Sequence, residues 1–267
     1  MFFGNNTCAI AQKQDRLFTK SYGLKSNVAT KSYYILTDEK QNILVANLFG
    51  IDHFDGVRWR RYRISEDYTK IPEYLILVKN NYNQGSFILG GSRKCGILRK
   101  KQGSLVMDEI ITEKENRGVL GDFLYKVIQY DNRTFFIGRS SGVIIYNHQT
   151  HKKQTITKVN LKSRPYYLFI DNQILLHDGS KDIFILGNKA WKKTDKYPII
   201  KRFSPQCIFK VDQQNTLLVS QSGEVYLQIG KQEFQKIEVI SEKLVGGFFT
   251  RIKKQGDKLY ICNNNKL

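Results

Sequence analysis

The chain has 267 residues, 41% hydrophobic and 12% aromatic, enough apolar material for a sizeable packed core and too much for a disordered chain. Lys and Arg number 43 against 24 Asp and Glu, a net charge of +19, so an anionic partner such as nucleic acid has to be weighed against where the charges fall. The longest apolar runs, such as residues 33–36 and 74–78, are far shorter than the roughly 20 residues of a membrane-spanning helix, so no such span is expected in this chain.

In chain order, the first segment is ambiguous. Ala9-Ile10-Ala11 has the small-x-small form of a signal-peptidase site, yet the preceding residues lack a basic group and an apolar stretch. Residues 1–16 therefore read as a tail or the remnant of a leader that starts upstream. From residue 17 onward one pattern recurs: an apolar strand, a polar turn with Asp, Asn or Gln, a second apolar strand, a Gly-containing turn, a third strand, then a basic or aromatic strand. The first copy, residues 33–63, runs from Tyr33-Tyr34-Ile35-Leu36 through Ile43-Leu44-Val45-Ala46 and Ile51-Asp52-His53-Phe54 to Arg58-Trp59-Arg60-Arg61-Tyr62. Further copies are expected at 74–110, 125–157, 167–195 and 207–238, with a partial one at 249–267. Residues 110–124, with Glu113, Glu115, Gly118 and Gly121, read as an insertion with a short turn of helix; no other helical stretch stands out.

Aligning the residue before each third strand picks out Gly50, Gly96, Gly142, Asp182 and Gly223, separated by 46, 46, 40 and 41 residues. That is the period of β-propeller blades. Asp55-Gly56 and Asp131-Asn132 supply the positive-φ positions that tight hairpins need. A β-sandwich also has short strands and frequent turns, but gives no reason for a four-stranded unit to recur five times. The predicted fold is all-β, a β-propeller of four-stranded blades, five complete plus a partial sixth. It is either an imperfectly closed six-bladed ring or the front portion of a longer propeller. Residues 17–22 read as an outermost strand available to close such a ring.

Phe18-Thr19, Tyr22-Gly23-Leu24 and Ser26-Asn27 lead into Ile35-Leu36-Thr37-Asp38, Asn42-Ile43-Leu44-Val45 and Gly50-Ile51-Asp52-His53-Phe54-Asp55-Gly56. This resembles the signature of two-component regulator propellers, the sensor regions of bacterial hybrid histidine kinases and related transcription regulators. The match is sharp over residues 17–62 and weaker to residue 262. Leu44 stands where the family has Trp, Ala46-Asn47 where it has Gly-Thr, and Asp182 at a usual Gly position. The resemblance implies an extracytoplasmic or periplasmic sensor without its output domain, recognising a small molecule or saccharide, and compatible with a homodimer through the propeller or a downstream domain. A protein-interaction scaffold and, behind it, a carbohydrate-active propeller enzyme are the rival readings.

Candidate sites follow from the repeat. The clusters Arg58-Trp59-Arg60-Arg61, Arg99-Lys100-Lys101, His151-Lys152-Lys153 and Trp191-Lys192-Lys193 all fall just before or within the outermost strand, where charge opposes edge-to-edge aggregation, and this spread argues against nucleic acid. Asp38, Asp131, Asp171 and Asp212 occupy one hairpin turn in successive blades and read as turn formers. His148 and His151 read as residues of a solvent-exposed turn, without the ligand set of a metal site. Cys8, Cys95, Cys207 and Cys262 form no C-x-x-C pair; Cys207 and Cys262 read as buried thiols. No nucleophile stands in an elbow motif beside His53 or His177, and no catalytic residue, metal or cofactor is predicted. Ligand contact is expected from the loops between second and third strands, which offer Asn47, Arg93, Arg139, His177 and Gln221.

Overall fold

The computed structural model describes residues 32–47, 50–62, 76–91, 94–102, 104–121, 124–161, 165–177, 182–212, 215–229, 233–238, 250–255 and 258–263. Residues 17–22 and Arg93 lie outside the described residues. The chain divides into two compact units, one holding the described residues up to Asn160 and the other those from Leu161.

The first unit contains three four-stranded antiparallel sheets, each a meander in sequence order. Blade 1 is β1 (Ser32–Thr37), β2 (Ile43–Asn47), β3 (Gly50–Phe54) and β4 (Trp59–Tyr62). Blade 2 is β5 (Ile76–Lys79), β6 (Ser86–Gly90), β7 (Cys95–Lys101) and β8 (Ser104–Ile111). Blade 3 is β9 (Leu124–Tyr130), β10 (Arg133–Gly138), β11 (Val143–Asn147) and β12 (Lys153–Ile156). The second unit adds blade 4, β13 (Tyr166–Ile170), β14 (Gln173–His177), β15 (Ile183–Leu186) and β16 (Trp191–Lys193), and blade 5, β17 (Pro205–Lys210), β18 (Thr216–Ser220), β19 (Val225–Ile229) and β20 (Glu233–Lys236). A final hairpin pairs β21 (Thr250–Gln255) with β22 (Lys258–Asn263). Among the described residues, the architecture is therefore five four-stranded blades and a two-stranded sheet, an all-β propeller fold.

Burial explains why the second strands lack polar alternation. In β6 every residue is buried, because blade 2 is covered on both faces. Leu77, Phe87, Leu89 and Leu98 pack with Leu44, Ala46 and Ile51 of blade 1. Their sequence neighbours Ile76, Ile88 and Ile97 turn the opposite way, toward Phe136, Ile144 and Tyr146 of blade 3. The period-2 geometry of a strand thus sends alternate apolar residues into two different cores. Outer strands differ: β4 and β16 carry no fully buried residue.

The hairpin between β9 and β10 turns on Asp131 and Asn132 with φ of 49° and 54°, and that between β13 and β14 on Asp171 and Asn172 with 48° and 59°. Both residues in the left-handed region is the two-residue hairpin geometry that matches strand twist. Asp38 instead closes its turn through its carboxylate, which accepts from the backbone N–H of Lys40 and Asn42 at 2.8 and 2.9 Å.

The connection from blade 2 to blade 3 holds α1 (Glu113–Glu115) and a π-helical turn, Asn116–Leu120. Thr112 and Glu115 form a reciprocal capping box at its start. Ile110 and Ile111, which the sequence assigns to this insertion, instead complete β8 and are buried. The turn lies directly on blade 3: a Cβ at Gly138 would stand 2.2 Å from the Leu120 carbonyl oxygen, and one at Gly142 1.8 Å from that of Val119. A second helix, α2 (Pro198–Phe203), is not foreshadowed by the sequence. Pro198 sits at its first turn, where the missing N–H costs nothing, and Ile200 anchors it in the blade 4 core with Leu168, Leu175 and Ile183.

Candidate functional site

The predicted loop residues divide by exposure. Asn47 ends β2 fully buried, its Nδ2 donating to the Val45 carbonyl at 3.4 Å. His177 ends β14 at 1% exposure, and its Nε2 donates to the Pro205 carbonyl at 2.6 Å, so the proton sits on Nε2 and the ring ties blade 4 to blade 5. Arg139 and Gln221 are exposed in the turns after β10 and β18. The Gln221 N–H donates to the Ser204 carbonyl, which brings Gln221 and His177 to the same Ser204-Pro205 segment. Asn47 and Arg139 belong to blades 1 and 3, with blade 2 between them.

One of the two histidines expected in a solvent-exposed turn departs from that expectation. His148 is half-buried, its ring between those of Tyr82 and Tyr146 at 4.6 and 5.0 Å, with Nε2 2.7 Å from the Thr134 hydroxyl. Burial lowers its pKa, and the charge of His151 adds to the effect. His151 itself is exposed and meets the Tyr146 hydroxyl at 2.8 Å. The aromatic packing comes from Tyr82 on the neighbouring blade, which the local sequence could not show. Among the described residues no group of three His, Cys, Asp or Glu is placed to hold a metal ion. Cys95 is fully buried, which pushes its thiol up to about 12 and leaves it inert as a nucleophile. Cys207 is only half-buried, not the buried thiol expected.

Among the described residues, the first unit carries a cleft of about 250 Å³ between blades 1 and 2. Its floor and walls are Leu44, Phe87, Leu105 and Tyr62, and its charged lining is Asp38, Glu39, Lys40 and Lys100. Three hairpin elements create it: the β1–β2 turn brings the acids and Lys40, the end of β7 brings Lys100, and the β5–β6 turn brings Gly85, with φ +74°, to 4.0 Å from the Glu39 carboxylate as measured from a Cβ built on it. Asp38 is held rigidly, since Asn42 Nδ2 also donates to it at 2.8 Å. Burial opposes its ionisation, but the hydrogen bonds from Asn42 and Lys40 outweigh that and hold the carboxyl below its ordinary value.

His53 lines the same cleft at 6% exposure. Its Nε2 lies 3.8 Å from Asp38 Oδ2, and its Nδ1 is buried with no hydrogen-bond partner among the described residues. Burial and the nearby Lys100 charge lower its pKa against the opposing pull of Asp38 and Asp55, so it is neutral at neutral pH. With the proton on Nε2 facing a carboxylate, Nδ1 presents an acceptor lone pair. Its partner Asp38 reaches it across the β1–β2–β3 meander, a pairing that the local sequence around His53 does not show. The cleft is charge-balanced, apolar at its base and small, and suits a compact ligand with both polar and apolar parts.

No protein-family model and no curated protein sequence matches the chain. Solved structures do match in fold. The extracellular domain of a hybrid two-component system of B. thetaiotaomicron is 16% identical with a TM-score of 0.57, covering 91% of this chain and 34% of its own. A bacterial surface component of the type-IX secretion system of Porphyromonas gingivalis is 14% identical, TM-score 0.57, covering 89% of this chain and 31% of its own. Virginiamycin B lyase of Staphylococcus aureus is 14% identical, TM-score 0.53, covering 79% and 71%. The chain thus spans about a third of the length of the first two. At these identities the likeness shows the propeller fold alone. No helix among the described residues is long and apolar enough to cross a membrane.

Proposed function

We propose that this propeller is a non-catalytic recognition module that binds a small polar ligand, acting as the extracytoplasmic sensing part of a two-component-type signalling protein. The observation that carries this is the cleft between blades 1 and 2, where a preformed carboxylate, a neutral buried histidine and a lysine from the adjacent blade face an apolar floor. The signature-like run through residues 17–62 and the fold likeness to an extracellular domain of a hybrid two-component system support the signalling context. In this reading the exposed Arg139 and Gln221, in the turns after β10 and β18, offer further contact points, each on its own unit. Partner contacts, including a homodimer, belong to the same proposal.

A thermal-shift screen of the purified chain against small metabolites of several classes tests the binding. A ligand at 100 times its Kd should add about 2.7 kcal/mol of stability, a readily measured shift. Leu105→Trp, which fills the half-buried edge of the cleft, should remove the shift. A screen flat across all classes overturns the reading. Because a lyase shares the fold, the hit is followed by NMR with excess protein; a chemically altered ligand would replace recognition with catalysis.

A further inference from the structure

Resting on the cleft as a ligand site, we infer that it takes a free α-amino acid with an apolar side chain, bound as the zwitterion. The cleft faces its occupant with two full negative charges from one hairpin turn, Asp38 and Glu39, and with positive charge from Lys100 on the adjacent blade and Lys40. A neutral polyol entering here would hydrogen-bond those groups but offset none of their charges. A polyanion or polycation would satisfy one sign and oppose the other. A zwitterion offsets both in a single molecule: its ammonium group lies against the Asp38 and Glu39 carboxylates and its carboxylate against the Lys100 ammonium.

Size and base agree. A cleft of about 250 Å³ lies below the range of drug-sized ligand pockets and fits a compact metabolite. Leu44 and Phe87, at 1% and 5% exposure, form a dry base for an apolar side chain. Beside them, the His53 ring lines the cleft with its Nε2 3.8 Å from Asp38 Oδ2. Asp38 is preorganised by Asn42, so the acidic end needs no ordering when the ligand arrives.

Isothermal titration of the purified chain with L-leucine, N-acetyl-L-leucine, L-leucinamide and glucose tests this. Leucine should bind, and masking either charged end should weaken binding at least tenfold. Lys100→Gln and Glu39→Gln change exposed side chains and should leave folding intact, as circular dichroism would confirm. Lys100→Gln should weaken leucine at least fivefold but leave leucinamide unchanged; Glu39→Gln should weaken leucine while sparing N-acetyl-leucine. Equal binding of leucine and its masked forms, or wild-type affinity in both variants, overturns the inference. Saturable binding of glucose but not leucine, lost in Leu105→Trp, overturns the zwitterion while leaving the recognition site standing. No binding by leucine or by other apolar L-amino acids also overturns the inference, and only if the wider screen is flat too does the recognition site fall with it.

Discussion

His53 concentrates the tension of the candidate site in one side chain. It is enclosed by Leu44 across the strand, by the Tyr62 ring at 6.1 Å, by Asp38 and Asp55, and by Lys100 from the next blade. Burial and Lys100 depress its pKa below the ordinary 6.5, so the folded state prefers the neutral ring more than the unfolded chain does. The sign follows from linkage: the unfolded chain takes up the proton first on acidification, so the stabilisation is complete above pH 6.5 and is lost as pH falls through the lower folded value. Urea midpoints should therefore drop between pH 7.5 and pH 5, and His53→Gln should show a smaller drop. The half-buried His148, depressed by burial in the same direction, will leave part of the loss in that variant. An equal drop in both proteins would show that His53 is not responsible. The neighbouring Asp52 contrasts with it: fully buried, it is satisfied by Arg61 on the paired strand, with Nε at 2.6 Å and a second guanidinium nitrogen at 3.1 Å.

The blade 2 to blade 3 connection shows how a short irregular element is fixed without a core of its own. Leu120 is its one fully buried apolar anchor, while Asn116 ties it to the Gly91 carbonyl at 3.1 Å. What lets it approach is the missing side chain at Gly138 and Gly142, where backbone would collide with any Cβ. Gly138→Ala or Gly142→Ala should push the turn off blade 3, costing about 1–3 kcal/mol as overpacking does, and should speed amide exchange in residues 113–121. Gly118→Ala, with nothing within 4 Å of its Cβ, is the control and should be neutral or slightly stabilising. A loss in Gly118→Ala as large as in the other two would mean that an added methyl disturbs the turn itself rather than its docking on blade 3. At this scale the sequence is most legible where chemistry is local. Asp131-Asn132 announces its hairpin because few residues tolerate positive φ, and apolar runs such as Phe135-Phe136-Ile137 announce strands covered on both faces. The helix at Pro198–Phe203 was missed because six residues with Ile199 and Ile200 show no helical period. The cleft was missed for a deeper reason: Asp38 and Lys100 are far apart in sequence and meet only because blade 2 stacks on blade 1, a register that no local pattern encodes.

For the molecule as a whole, a net charge of +19 has to be reconciled with a fold in which the clusters at 58–61, 151–153 and 191–193 lie at or just before outermost strands, whereas Arg99-Lys100-Lys101 ends the third strand, β7, paired on both sides. In blades 1, 2, 4 and 5 cations meet carboxylates of the same blade: Arg60 with Asp55 at 3.8 Å, Arg99 with Asp108 at 3.0 Å, Lys193 with Asp182 at 2.6 Å, and Lys236 with Glu224 at 3.1 Å; Lys153 of blade 3 reaches Glu115 of the preceding connection. Such exposed pairs, screened by solvent, contribute little stability. Their larger effect is on the edges, where charge on an unpaired strand discourages pairing with another chain. Among the described residues the cations are distributed over the blades and partly neutralised, and we propose that they form no continuous track for a phosphate backbone. The excess charge still attracts polyanions at long range, and that attraction depends on salt because it arises from counterion release. Electrophoretic shifts of DNA and RNA should accordingly be faint at 20 mM salt, independent of sequence, and absent at 150 mM. Lys192→Gln should barely change them, since no single blade dominates. A shift that survives 150 mM salt, or that collapses on removing this one lysine, would mean that the charges converge on a dedicated nucleic-acid site rather than serving each blade separately.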